Sequence, residues 1–131
     1  MHEGSDDQAA GKAERWARDR LTAGGGRDLP RLPWLADGQP HDAVTLIRQA
    51  LWRAGTDRGS LEQPDDLLAA ITLLAAARAE VDQIEAGLLF VARAEGLTWA
   101  QVAQALGLRT AQAAQQRHER VLARLDGNSG S

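Results

Sequence analysis

The chain has no cysteine and no tyrosine, and only one phenylalanine, one methionine and one lysine. Without cysteine it can form neither a disulfide nor a thiolate metal site. Its three histidines, His2, His41 and His118, show no His-x-x-Glu-His-type spacing, so no metal site is expected. No run of 18 uncharged apolar residues occurs, which excludes an apolar helix of membrane-spanning length. Residues 1–7 are polar and acidic, unlike the basic start and apolar run of a secretory signal, and a cytoplasmic location is expected. Catalytic constellations are missing too. Asp65 with Asp66, and Asp82 with Glu85, are carboxylate pairs with no histidine beside them. They read as helix-start and solvent-facing charges. Gly24, Gly25 and Gly26 lack the Lys-Ser/Thr ending of a phosphate loop and read as a linker. Neither an enzyme nor a cofactor is expected.

What remains is rich in alanine, leucine and arginine. Hydrophobic residues make up 44% of 131, enough to bury a core, and the composition favours helix over sheet. Fourteen arginines against one lysine read as a GC-rich coding bias. The expected fold is all-α, a helical bundle with a long central helix leading into a carboxy-terminal helix-turn-helix. Residues 1–40 form a first segment. A helix over 8–22, with Ala9, Ala13, Trp16, Ala17 and Leu21 roughly on one side, ends at the three glycines. A proline-containing arm follows, with Pro30, Pro33 and Pro40 forbidding regular helix. Leu29, Leu32, Trp34 and Leu35 within it are expected to lie extended on the protein's own core, a docking peptide being the alternative. Residues 41–80 form a core and dimerisation region. Its first helix spans 42–54, carrying Val44, Ile47 and Leu51 at helical spacing. Ser60 and Gln63 resemble a capping box, and Pro64, Asp65 and Asp66 suit a helix start. From there the 3- and 4-residue apolar steps continue to Glu95. Such a rod either breaks near residues 78–82 or has its flank covered by a second subunit; the second is preferred. Gly87 within it implies a bend or a close backbone approach. Residues 126–131 read as a disordered polar tail.

The net charge of −3 is unevenly spread. Residues 1–95 hold 11 basic and 16 acidic side chains, net −5, whereas residues 96–125 hold four arginines and one glutamate, net +3. The same segment carries the clearest local signals. Gly96 suits the end of one helix. Thr98 and Gln101 make a capping box, with Leu97 and Val102 as a hydrophobic staple, so a helix starts at Trp99. Gly107 stops it two turns later, and Thr110 can cap a last helix over 111–125. Two steeply crossing helices need a small residue where they meet, and Ala103 supplies it; Gly107 supplies the tight turn. Ala114, His118, Val121 and Leu125 form the buried stripe of the last helix. His118 is therefore read as a core residue rather than a ligand. Trp99 shares a face with Val102, Ala103 and Leu106 and is read as packing.

The sequence GLTWAQVAQALGLRTAQAAQQRHERVLARL, residues 96–125, resembles the helix-turn-helix of sigma-factor region 4. It also resembles small helix-turn-helix proteins of high-GC bacteria in which an alanine-rich helix precedes the motif. The similarity covers residues 81–125. The stretch between Gly107 and Ala114 is about one residue longer than the commonest pattern. Recognition of promoters within a holoenzyme is not implied. The resemblance implies double-stranded DNA as partner, with the helix from Ala111 in the major groove. Glutamine can pair with adenine and arginine with guanine or phosphate. Gln112, Gln115 and Gln116 are accordingly expected near base edges. Arg109, Thr110, Arg117 and Arg120 are expected mainly on the backbone, and Glu119 beyond the groove. The expected function is that of a homodimeric, nucleoid-associated transcriptional regulator. The alternative is an adaptor binding a protein such as RNA polymerase.

Overall fold

Helix formation follows the alanine and leucine content, and the ends of the helices follow local chemistry. The computed structural model describes residues 2–56 and 63–129, and among these it is all-helical, with no strand. The helices are α1 (His2–Ala23), α2 (Ala43–Thr56), α3 (Gln63–Thr72), α4 (Leu74–Ala94), α5 (Trp99–Leu106) and α6 (Ala111–Ser129), with a 3-10 turn at Gly26–Asp28. No helix of the described residues is long and apolar enough to cross a membrane. The chain divides into two units, Met1–Glu80 and Val81–Ser131, each with its own core.

The first unit packs α1, α2 and α3 around Ala17, Leu21, Ala43, Leu46, Ala50, Ala69, Ala70 and Leu73. Most of these residues are alanine, so the backbones can approach closely. Polar ties fix the arrangement. Asp42 accepts the N–H of Thr45 at 3.1 Å and starts α2. Arg20 of α1 donates to Asp66 of α3 at 2.8 Å. Glu80, in the first half of α4, accepts the N–H groups of Ala43 and Val44 at 2.8 and 3.3 Å, with Arg18 3.6 Å away. A carboxylate there meets both the orphan N–H groups and the positive end of α2. Replacing Glu80 with alanine should cost about 1–2 kcal/mol. Urea denaturation of the E80A chain checks it, and an unchanged midpoint would show that the contact contributes nothing.

Several expectations are corrected. The long helix neither runs unbroken nor breaks at residues 78–82; α4 passes through that stretch, and the interruption is at Leu73. The N–H of Leu73 is shared between the carbonyls of Ala69 and Ala70, each at 3.1 Å, and Thr72 Oγ1 donates to the Leu68 carbonyl at 2.8 Å. That back-bond bends helices, and the bend places Leu73 fully inside the first core. Trp16 is not on the buried side of α1, where Ala17 and Leu21 reach the core. The proline-containing arm is folded on itself rather than extended. Arg31 donates to the carbonyls of Ala36 and Gln39, and Ala36 N–H donates to Gln39 Oε1 at 3.0 Å. Trp34 at its tip is 73% exposed and covers no core. α1 begins at His2 rather than at residue 8. α6 continues through Ser129, past the expected start of the polar tail, because nothing after Leu125 removes a backbone donor. Ser60 lies outside the described residues, as does the side chain of Gln63, its expected partner in a capping box.

Candidate nucleic-acid interface

The second unit is held by α5, α6 and the facing side of α4, with Leu89, Val102, Ala103 and Ala114 buried together and Trp99, Leu106 and Leu108 packed against them. The local signals around α5 are realised. Thr98 accepts the N–H of Gln101 at 3.1 Å, and Gln101 Oε1 accepts the N–H of Thr98 at 2.8 Å. Gly96 has φ 96° and Leu97 N–H donates to the Ala92 carbonyl at 3.0 Å, closing α4. Gly107 has φ 74° and ψ 21°, and Leu108 N–H donates to the Ala103 carbonyl at 2.8 Å, closing α5. Both are six-to-one hydrogen bonds of the kind a left-handed residue permits at a helix end. Leu97 of the expected staple is exposed.

α6 opens on Thr110, whose Oγ1 accepts the N–H of Ala113 at 3.0 Å. Ala114 and Val121 are buried, which fixes the face of α6 turned to the core. His118 lies on that side, its ring 5.6 Å from Trp99, and Arg93 stands 5.1 Å over the ring of Trp99. His118 Nδ1 is buried and has no hydrogen-bond partner among the described residues.

The opposite face of α6 is exposed. It presents Gln112, Gln116 and Glu119, with Gln115 on one shoulder and Arg120 on the other. Arg109 and Thr110 are exposed in the preceding turn. At about 1.5 Å per residue, Arg120 stands roughly 14 Å along α6 from Ala111, and Arg109 lies two residues before that helix begins. The structure thus gathers six of the seven sequence-derived residues, Arg109, Thr110, Gln112, Gln115, Gln116 and Arg120, along the exposed side of α6 and its entry turn.

Arg117 is placed differently. Its Nε and Nη2 donate to the two carboxylate oxygens of Glu85 on α4, both at 2.9 Å. Arg124 does the same to Asp82, both bonds at 3.1 Å. Asp82 and Glu85, expected to face solvent, instead have side chains only 17% and 15% exposed. The forks align α6 against α4 in the opposite sense, since 117 meets 85 and 124 meets 82. A signal existed in the sequence: Asp82 and Glu85 share one face of α4, and Arg117 and Arg124 share one face of α6. Nothing local, though, specified that the two faces meet.

Hydrogen bonds from Arg124 and Arg117 hold the carboxyls of Asp82 and Glu85 below their ordinary range, against the opposing effect of burial. Carboxylates depressed in the folded state contribute stability that is complete above their ordinary pKa and lost as pH falls through the folded value. The second unit should therefore lose stability as the pH drops below about 4. Thermal unfolding followed across that range checks this, and the Glu85→Gln chain should show a shallower fall. Among the described residues no group of three or more His, Asp or Glu is placed to hold a metal ion. No family model, curated protein or solved structure matches the chain.

Proposed function

We propose that this chain binds double-stranded DNA sequence-specifically, with α6 entering the major groove and α5 crossing above it, as a small transcriptional regulator. The reading includes a homodimer, in which two α6 helices meet half-sites about one helical turn apart. The observation that carries it is the outward face of α6. Three glutamines there have exposed side chains, while Ala114 and Val121 on the opposite face are buried. Amides on a rigid helix can read adenine edges, and Arg109 and Arg120 at the flanks can bind phosphate. With the other two arginines of the segment drawn into ion pairs, the positive field is modest, and the fall of affinity with salt is set by the few phosphates that Arg109 and Arg120 neutralise. Glu119, exposed on the same face, lies beyond the groove and repels phosphate slightly.

Selection of bound fragments from a random duplex pool, followed by fluorescence anisotropy over a salt series, tests the proposal. An enriched sequence whose affinity falls with salt is the expected result; no retention of any duplex at low salt overturns it. One observation favours a second reading, an adaptor that docks on a protein such as RNA polymerase. Trp34 stands at the tip of a folded arm with its ring in water, the kind of aromatic anchor protein interfaces use. Loss of partner binding, but not DNA binding, in Trp34→Ala would assign it that role.

A further inference from the structure

The part of α4 that belongs to the second unit has two apolar sides. Leu89 is buried, and Asp82, Glu85, Ala86 and Ala92 lie partly buried around it. Away from that side, Val81, Ile84, Leu88 and Val91 recur at steps of 3, 4 and 3 and are 54–65% exposed. Phe90, at one edge, is 74% exposed. Together these five side chains leave on the order of 500 Å² of apolar surface in water, the size at which a patch on a single chain marks an interaction site. Gly87 lies between them, and a Cβ there would meet nothing within 4 Å. Glycine weakens a helix relative to alanine, and nothing within the chain requires it at this position.

We propose that the occupant of this stripe is a second copy of the chain, α4 packed on α4 about a two-fold axis, with Gly87 at the point of close approach. The inference rests on the homodimer proposed for DNA binding and names its surface. The 3-4-3 spacing is that of a coiled-coil seam, in which each side chain sits among four of the facing helix. A stripe of this spacing is complementary to itself, as a two-fold contact demands. Charge agrees. Between Val81 and Val91 the only ionisable residues are Asp82 and Glu85, and both are turned inward and paired with Arg124 and Arg117. Two copies therefore meet without like-charge repulsion, and the stripe offers a charged partner nothing to bind. Two such patches bury on the order of 1,000 Å², near the lower bound for a specific interface. The dimer should accordingly dissociate on dilution.

Sedimentation velocity of the full chain over a concentration series tests this. The expected result is a reversible monomer–dimer equilibrium that the Ile84→Glu/Leu88→Glu chain weakens by at least about 100-fold. Both side chains are exposed, so the helical circular dichroism should be unchanged. Gly87→Met is the second variant. It fits the open space of a single copy and holds two helices apart, and it should weaken association by about tenfold or more. A chain that stays monomeric up to about 100 µM, or a dimer indifferent to all three substitutions, overturns the proposal. The two readings fail separately: a dimer that retains no duplex removes only DNA binding, and a monomer that binds duplex removes this interface and the homodimer but leaves DNA binding standing.

Discussion

The Ala103→Leu chain is expected to lose about 3 kcal/mol of stability in its second unit while the first unit stays folded. Ala103 is 3% exposed and packs with Ala114, which is fully buried, where α5 and α6 meet. Three further carbon atoms have no space there, so either the helices separate or the side chain is forced off its rotamers. A unit of this size has only a few kcal/mol in total, so the substitution removes most of it. Urea denaturation should then split into two transitions, with the first unit's midpoint close to that of the unsubstituted chain. Ala105→Leu is the control, since Ala105 is exposed on the same helix and should change stability by no more than about 0.5 kcal/mol. Equal midpoints for A103L and A105L would mean that the helices do not cross at Ala103.

The crossing of α5 and α6 is the part of the fold most legible in the sequence, and the reason is range. The capping box of Thr98 and Gln101, the left-handed closures at Gly96 and Gly107 and the cap at Thr110 each involve atoms within a few residues of one another. Chemistry at that range can be read directly from residue order. The bend at Leu73 could not be read in the same way. Its sequence is apolar and helical on both sides, and the interruption coincides with the burial of Leu73 among α1 and α2 residues far away in the chain. Trp16 and Trp34 mislead for a related reason. Large apolar side chains suggest core, but the first core is closely packed by alanines and has little room for an indole. Periodicity carries apolar steps through α4 as far as Glu95, whereas the inward turn of Asp82 and Glu85 depends on arginines more than thirty residues away.

Those arginines divide the candidate site into two groups with different expected behaviour. Alanine at both Arg109 and Arg120 should weaken binding to every duplex by at least about 10–30-fold and lower the salt slope by up to about 1.8 for each subunit bound, as expected when two phosphates per half-site are no longer neutralised. Arg117→Ala should leave that slope nearly unchanged, because its guanidinium is already committed to Glu85 by two hydrogen bonds. Its effect should appear in stability instead. Glu85 would be left largely covered without a partner, at a cost of about 1 kcal/mol once the 39% exposure of the Arg117 side chain is allowed for. Arg117→Lys should not restore it fully, since lysine cannot form the two-pronged bond. Gln112→Ala and Gln116→Ala should do neither. They should leave slope and stability in place and reduce discrimination between sites by about 1–3 kcal/mol for each amide removed from a base edge. Anisotropy titrations at several salt concentrations, paired with denaturation of the same variants, separate the three outcomes. If Arg117→Ala lowered the slope as much as removal of a phosphate-binding arginine would, the Glu85 fork would have to open when DNA binds. α6 would then meet the duplex with three flanking cations rather than two, at the expense of its tie to α4.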